Sequence, residues 1–525
     1  MPRKPKPKNT MTAGERARLY EAEMAEKQRR MHGLDGDVPN LDGDANEASA
    51  NVATYAALKT AEKIPEKPKK ALPKPQSATV KVDFSIETGN IGAMHGMCNG
   101  PVSYGADITR LFKEIGVPYV RFDKTDGAQS SCAIDVSRIF RDVNADPNKP
   151  ESYDFTVTDK YVTAAYNSGA KVIFRLGESR DVIDEQRRLI VPENIDLWSS
   201  VCANVIRHYN DYFAHGFAFG IEYFEIWNHD PAAKRDEWAT EFELYRRVAS
   251  VVKIVDADIK VGGMAFDRFD EAAREFVRFC KKTRTPLDFI TLRSFDGDPV
   301  AVVNDLNEAY AYLKNVGLDS TEVILGEWCY IDGEALGEKR IEAVLPSLSD
   351  DNVTIKRAIF NSQSSIKGAA YAAALMLELD ARSEVSTACF YDAQPMVSPF
   401  SAICDRFGAP QKPFYAFKAY GDLYRAGKRV LCESEQSAGF AHTGIYADAA
   451  ISKNGECYIM IASFGGCGVV DLRLDSIPDN LYTADVYMID GVKDLTLGDS
   501  VPISGQKKRL VLNLSEYAVV LVKLY

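Results

Sequence analysis

One pattern limits the possible folds of this chain more than any other: short apolar segments alternate with helical segments from about residue 80 to residue 423. Eight parallel strands with intervening helices favour a closed (β/α)8 barrel, the TIM barrel of the α/β class. An open doubly wound sheet is the alternative, but neither a GxGxxG nor a P-loop sequence supports a nucleotide site in one. The predicted strands are Tyr119–Phe122, a less clear one near Ile134–Phe140, Val172–Leu176, Ile221–Trp227, Lys260–Gly262, Phe289–Leu292, Val323–Leu325 and Thr387–Tyr391.

The intervening segments carry apolar residues at helical spacing. Between Leu197 and Phe213 the apolar positions fall on one helix face, as expected for a helix that packs on a sheet. The other predicted helices are Asp107–Ile115, Glu241–Ile254, Glu271–Lys281 and Val303–Val316.

The last hundred residues have a different pattern. After Tyr424 short β-rich segments follow one another between Gly, Asp and Pro turns, which predicts a small antiparallel β-sandwich over residues 424–525. A stabilising appendage of the barrel is the favoured interpretation, and a carbohydrate-binding edge is the alternative. The segments are Glu456–Ser463, Gly468–Leu474, Tyr482–Ile489, Arg509–Leu514 and Tyr517–Leu524.

The first eighty residues differ again. Helix formers of mixed charge between Ala13 and Met31 give way to Gly, Asp, Asn and Ala, and then to IPEKPKKALPKPQ. This composition predicts a flexible charged tail and a Pro/Lys linker over residues 1–80, ahead of a barrel domain over residues 81–423. The functional alternative is an arm that docks a protein partner.

Composition excludes some partners and locations. A net charge of −12 argues against nucleic acid as the main partner. No apolar run reaches the length of a membrane span, and no secretory signal is visible. The ten cysteines are scattered without a CxxC pair, as is usual in a reducing compartment. A cytoplasmic location is expected, with non-classical export as the alternative.

Polar residues at the ends of predicted strands indicate where chemistry could occur. In a TIM barrel the loops after the strands converge at one face. Asn228, His229 and Asp230 follow the fourth strand, and Glu327 lies at the end of the seventh, across the barrel. Retaining glycoside hydrolysis needs a carboxylate nucleophile and an acid/base about 5–5.5 Å apart. Trp227 and Trp328 lie beside these residues, and aromatic faces suit sugar rings.

The motifs resemble one family. EIWNHDP is similar to the EIWNEPD sequence of clan-A glycoside hydrolases, and ILGEWCY is similar to their nucleophile strand. YVRFDKTDG, KVGGMA, PLDFITLRSF and FYDAQP resemble further strands in order, YVRFDKTDG being matched to the first. The likeness runs from about Val82 to Leu423 and points to glycoside hydrolase family 39, which contains β-xylosidases and α-L-iduronidases. It implies a carbohydrate substrate and neither a cofactor nor a metal ion.

The resemblance assigns roles position by position. Glu327 matches the nucleophile, and Asn228 matches the asparagine that binds the sugar 2-OH. Tyr391 and Asp392 match a rim segment close to the sugar.

The chain also departs from the family pattern. The acid/base glutamate position holds His229, and a sixth-strand histidine position holds Arg293, followed by Phe295 where a tyrosine is usual. Asp123, two residues after Arg121, stands where a histidine is usual.

These departures leave three interpretations of the acid. His229 itself protonates the leaving group, which suits an imidazole near neutral pH. Alternatively another carboxylate does so, with Asp230, Glu178, Asp123 and Asp126 as candidates. In the third interpretation the site binds a sugar without turnover.

Arg293 has two interpretations of its own. A fixed positive charge in the pocket suits an acidic sugar such as a uronate. Alternatively the guanidinium pairs with Glu327 or Asp123 and neutralises a carboxylate.

Overall fold

The computed structural model describes residues 76–103, 106–123, 133–179, 191–231, 233–332, 353–395, 400–436, 444–466 and 468–525. These residues fall in one compact unit. Residues 1–75 of the predicted tail and linker lie outside the described residues. The strands of the described chain are β1 Gln76–Asn90, β2 Ala93–Cys98, β3 Val102–Ser103, β4 Ala106–Asp107, β5 Tyr119–Phe122, β6 Lys171–Leu176, β7 Tyr223–Ile226, β8 Lys260–Phe266, β9 Phe289–Ser294, β10 Glu322–Trp328, β11 Val385–Phe390, β12 Lys428–Gln436, β13 Gly444–Ile451, β14 Cys457–Phe464, β15 Gly468–Asp475, β16 Thr483–Ile489, β17 Asp494–Pro502, β18 Lys508–Leu514 and β19 Tyr517–Leu524.

Eight of these strands form a closed parallel barrel. Its order is β2-β5-β6-β7-β8-β9-β10-β11, with β11 paired back to β2. Seven of the eight overlap strands predicted from the sequence. The structure confirms the predicted (β/α)8 barrel followed by a β-rich domain.

One predicted strand was wrong. The segment near Ile134–Phe140 contains the short helix Val136–Ile139, and the first barrel strand is β2. The motif YVRFDKTDG therefore begins on the second barrel strand rather than the first. The numbering of strands three to eight is unaffected, because one strand was missed and one was added.

Helices cover the outside of the barrel. Their buried faces carry residues at three- and four-residue spacing, such as Val201, Val205, His208 and Tyr209 on one helix. The α-helices among the described residues are Thr109–Ile115, Val136–Ile139, Thr158–Asn167, Ile195–Asn210, Trp238–Val255, Glu271–Thr283, Pro299–Asn315, Val353–Gln363, Ile366–Arg382 and Lys412–Ala426. None of the helices in the described part of the chain is long and apolar enough to cross a membrane.

The remaining long strands form a nine-stranded sheet in the order β17-β16-β19-β14-β13-β12-β1-β15-β18. Side chains from its two halves share one core. Leu472 of β15 and Leu510 of β18 cluster with Ile459 of β14 and Val520 of β19. The sheet therefore folds over on itself as a sandwich. Its neighbouring pairs are antiparallel except β1 and β15, which are parallel.

The position of β1 differs from the domain boundary expected from the sequence. Residues 76–80 were expected to belong to the linker and residues 81–90 to the barrel domain. All of them lie in β1, which is hydrogen-bonded between β12 and β15 in the sandwich. The chain thus contributes a strand to the C-terminal sheet before it enters the barrel.

The sandwich packs on the barrel through alternate residues of its strands. On β14, Ile459 and Ile461 face the sandwich core, whereas Met460 and Ala462 join the barrel's hydrophobic core. This period-two alternation is what a strand buried on both faces requires.

Candidate active site

The carboxyl ends of the eight barrel strands bring the candidate residues to one face. Glu327 is the penultimate residue of β10, and Arg293 is the penultimate residue of β9 beside it. Asp123 directly follows β5, and Asn228 and His229 follow β7 after Trp227. The parallel direction of the strands dictates this convergence.

Two arginines hold the carboxylate of Glu327. Arg121 Nη1 donates to Glu327 Oε1 at 2.8 Å, and Arg293 Nε lies 3.0 Å from the same oxygen. The Glu327 side chain is only 6% exposed and both guanidinium groups are buried. Two guanidinium partners favour the ionised form of a carboxyl group.

Gly326 makes this contact sterically feasible. A Cβ at that position would lie 2.2 Å from Thr291 Cγ2 and 3.1 Å from Arg121 Nε. The absence of a side chain before Glu327 lets Arg121 lie against β10.

Arg121 is also bound from the interior of the barrel. Its Nη2 donates to Glu225 Oε2 at 2.6 Å, and Arg121 and Glu225 are both fully buried. Arg175, one strand over, donates to Asp123 Oδ1 at 3.0 Å and to Asp135 Oδ1 at 2.6 Å. The site therefore rests on a layer of alternating cations and anions in the barrel.

Asn228 is held on three sides by protein groups. Its amide nitrogen donates to Asp123 Oδ1 at 3.2 Å and to the Glu178 carbonyl at 3.1 Å, and its Oδ1 accepts from Arg293 Nη2 at 2.6 Å. Both amide hydrogens are thus used within the protein. A sugar hydroxyl at this residue would have to donate to Oδ1.

His229 is held by a carboxylate that sequence reasoning missed. Its Nδ1 lies 2.7 Å from Oε2 of Glu241, in the first turn of the helix Trp238–Val255. The backbone N–H of His229 donates to the Met264 carbonyl at 2.6 Å, and its ring packs against Phe266. Asp230 is also buried, and its backbone N–H donates to Glu241 Oε1 at 3.3 Å.

Glu178 lies behind this layer. Its two carboxylate oxygens accept from the backbone N–H and the hydroxyl of Ser137, at 2.8 and 2.7 Å. Burial, together with the nearby Asp135 carboxylate, raises the pKa of Glu178 to about 8. Its carbonyl contacts Asn228, whereas its carboxyl group faces Ser137.

The two tryptophans take a different place from the one expected. Trp227 and Trp328 are 1% and 0% exposed. Trp227 packs edge-on against Trp198, and Trp328 stacks on Phe417. Their rings therefore belong to the hydrophobic core, which corrects the expectation that they offer open faces to a sugar.

The rim segment after β11 lies next to the charged layer. Asp392 Oδ1 accepts from Asn99 Nδ2 at 3.4 Å, and Asn99 Oδ1 accepts the backbone N–H of Asp123. Tyr391 is partly buried against Phe295 and Phe400, and this burial raises the pKa of its hydroxyl.

Several members of the charged layer were not predicted from the sequence. Glu225 and Arg175 could have been found, since a charged residue within an apolar barrel strand needs a buried partner. Asp126 lies outside the described residues. In the described part of the chain, no three His, Cys, Asp or Glu side chains are grouped so as to hold a metal ion.

A closed (β/α)8 barrel with a cluster of charged side chains at the carboxyl ends of its strands has the architecture of the barrel glycoside hydrolases. Solved structures share this fold. A glucosidase from Croceicoccus marinus matches with a TM-score of 0.67 and 20% identity, over 85% of this chain and 98% of the other. A GH39 enzyme from Xanthomonas axonopodis pv. citri matches with a TM-score of 0.60 and 15% identity, over 85% and 97%.

The family is indicated by sequence comparison. The model of "Glycosyl hydrolases family 39" matches residues 109–317. A beta-xylosidase from Geobacillus stearothermophilus is 25% identical over 177 residues, which are 30% of this chain and 33% of the relative. One from Caldicellulosiruptor saccharolyticus is 26% identical over 159 residues. The chain spans about a third of the length of the curated relatives it matches, and its resemblance to glycoside hydrolase family 39 is confirmed.

Proposed function

We propose that the protein is a retaining glycosidase that hydrolyses a neutral pentoside such as a β-xyloside, with Glu327 as nucleophile and His229 as acid/base. The observation that carries the proposal is the buried Glu327 carboxylate, held by Arg121 and Arg293 at the carboxyl end of the seventh strand. The curated relatives named as beta-xylosidases support the choice of sugar.

The proposed reaction has two steps. Glu327 attacks the anomeric carbon while the bond to the leaving oxygen breaks, and that oxygen takes a proton from the His229 imidazolium. A water molecule then attacks the anomeric carbon and gives its proton to the neutral imidazole. Glu327 leaves as a carboxylate, and both groups return to their starting states.

The contacts of Arg293 favour a neutral sugar over a uronate. Its guanidinium is 2% exposed and contacts Glu327, Asn228 and Asp267. A cation with these partners gives up existing ion pairs if it binds a substrate carboxylate.

A binding protein without turnover is the second candidate. The observation in its favour is that two guanidinium groups share Glu327 Oε1, which neutralises the carboxylate and lowers its nucleophilicity. The two candidates differ in one respect that can be measured, namely release of the leaving group.

The test is turnover of dinitrophenyl xylosides, arabinosides and uronides by the wild type, Glu327→Gln and His229→Ala. These leaving groups need little protonation. We therefore expect release by the wild type, loss of release in Glu327→Gln and a near-normal kcat/KM in His229→Ala, because kcat/KM reports formation of the glycosyl-enzyme and not the later step in which His229 acts as base. On alkyl xylosides, the kcat/KM of His229→Ala should be about 10²- to 10⁴-fold below that of the wild type. Glu322→Gln is the matched control, because Glu322 lies at the opposite end of the same strand.

Wild-type protein that releases no dinitrophenol from any sugar, but binds xylose saturably, would replace this proposal with the binding protein. Equal loss on both leaving groups in His229→Ala would remove His229 from the acid role.

A further inference from the structure

Glu241 is a buried carboxylate whose two oxygens face the loop after the fourth barrel strand. It is 3% exposed and lies one turn into the helix Trp238–Val255. Its Oε2 lies 2.7 Å from His229 Nδ1, and its Oε1 accepts the backbone N–H of Asp230 at 3.3 Å. One side chain thus holds both residues that replace the usual acid/base segment.

We propose that Glu241 is a positioning residue that fixes the ring orientation and tautomer of His229, so that Nε2 is the nitrogen that exchanges a proton with substrate. The proposal rests on the proposed function. An ionised carboxylate only accepts hydrogen bonds, so the 2.7 Å contact requires the hydrogen to be on Nδ1. The other nitrogen is then the one that gains and loses a proton.

Further contacts of His229 restrict movement of the ring. The backbone N–H is held by the Met264 carbonyl, and the ring packs 4.9 Å from Phe266 and 6.1 Å from Trp238, measured between ring centroids. With the side chain 7% exposed, little space remains for a second rotamer. The carboxylate supplies the polar contact that selects one of the two ring flips.

The same arrangement explains how a histidine can stand where the family has a glutamate. A glutamic acid carries its acidic proton on a freely rotating carboxyl group, whereas an imidazole offers two distinct nitrogens. An imidazole therefore needs a second group to decide which nitrogen faces substrate, and Glu241 is that group.

The first test is the tautomer of His229 by NMR of protein labelled with ¹⁵N-histidine. The chain has six histidines, so the ring signals are few, and His229→Gln assigns the one that disappears. At a pH where the imidazole is neutral, we expect Nδ1 to be protonated in the wild type. Glu241→Leu removes the acceptor and should shift the ring towards the Nε2-protonated form.

The second test is the dependence of kcat/KM on the leaving group, since kcat/KM reports the step in which the leaving oxygen takes its proton. Glu241→Leu should behave like His229→Ala, with little loss of kcat/KM on dinitrophenyl xyloside and about 10²-fold or greater loss of kcat/KM on an alkyl xyloside. Glu241→Gln keeps an acceptor for the Nδ1 hydrogen. Its kcat/KM on the alkyl xyloside should therefore lie between those of the wild type and Glu241→Leu. Glu243→Gln is the matched control, since Glu243 is a half-exposed residue on the same helix, paired with Arg246.

These tests separate the two proposals. A wild type without turnover contradicts the proposed function, while the NMR measurement still decides the role of Glu241. An unchanged Nδ1-protonated ring in Glu241→Leu would overturn the positioning role, as would a wild-type leaving-group dependence. If Glu241→Leu does not fold, the wild-type tautomer and the kinetics of Glu241→Gln decide instead.

Discussion

The buried side chains of the candidate site are linked by charge. Arg121 pairs with three carboxylates: Glu225 inside the barrel, Glu327 at its rim and, at 3.5 Å, Asp123. The buried Arg121–Glu225 pair therefore also sets the environment of the proposed nucleophile. Buried ions are stable only when paired, and removal of one partner leaves the other without compensation.

Replacement of Arg121 should therefore be costly. We expect Arg121→Met to lower the free energy of unfolding by about 3–5 kcal/mol, because it leaves Glu225 and Glu327 buried without this cation. In the double variant Arg121→Met/Glu225→Met, part of that loss should be recovered, since two apolar side chains replace the ion pair. Urea unfolding measures both changes. Equal midpoints for the wild type and Arg121→Met would contradict this account.

The sequence predicts the site residues that directly follow strands. It misses those whose side chains reach the rim from other elements. Glu327, Asn228 and His229 were placed at the rim because they end strands four and seven. Glu241 lies on a helix, and nothing in its local sequence shows that its side chain turns back towards the loop before it. Trp227 was misplaced because an aromatic residue at a strand end suits a core as well as a cleft.

Among the elements, the barrel strands were predicted where they are apolar and β-branched and missed where they are not. The first strand, AMHGMC, contains His95 and Gly96. Gly96 is required there because a Cβ would lie 2.8 Å from the Ala388 carbonyl of the neighbouring strand. Conversely, the segment near Ile134–Phe140 has strand-like composition but forms a single helical turn, Val136–Ile139.

The two faces of strand β1 should contribute differently to stability. Val80 is fully buried in the sandwich core, whereas its neighbour Lys81 faces outwards and pairs with Glu435. Val80→Ala should lower the free energy of unfolding by about 1–3 kcal/mol through lost burial and a residual cavity. Lys81→Ala, the control on the same strand, should change it by less than about 1 kcal/mol. Denaturant titration checks both, and equal effects would exclude a core position for Val80.

For the whole molecule, the junction of barrel and sandwich contains a second buried group of charges. Arg429 of β12 pairs with Asp380, at the end of the helix Ile366–Arg382, and with Asp448 of β13. Asp380 also accepts the backbone N–H of Gly92 at 2.7 Å, between β1 and β2. The guanidinium of Arg429 thus pairs with two buried carboxyl groups, one on a helix and one on a strand of the sandwich.

This arrangement predicts a pH dependence of stability. Burial, together with the Asp380 carboxylate, raises the pKa of Asp448 from 3.8 to about 8. The folded state therefore keeps a proton that the unfolded chain has released between these two values, and this contribution to stability declines as pH rises from about 4 to about 8. Asp448→Asn should remove that decline. The stability of the variant relative to the wild type should therefore be higher at pH 8 than at pH 5.

Thermal unfolding across this pH range measures the difference. Asp499→Asn, an exposed position in the same sandwich, should follow the wild type throughout. A parallel decline in wild type and Asp448→Asn would assign the pH dependence to other groups.

The overall architecture was predicted better than its connectivity. Strand–helix alternation indicated the barrel, and the change of pattern after Tyr424 indicated the sandwich, because both follow from local periodicity. The placement of β1 in the sandwich depends on pairing with distant residues: Asn90 pairs with Lys428, 338 positions later, and Gln76 with Gly468, 392 positions later. Local sequence carries no record of such a pairing.

That placement has a consequence for the order in which the protein can be assembled on the ribosome. Translation releases β1 long before β12 and β15, the two strands beside it in the sheet. The nascent strand cannot bury Val80 and Val82 in the sandwich core until β12 and β15 have emerged. The barrel can begin to form during that interval, but the sandwich is completed only after synthesis has reached its last strands.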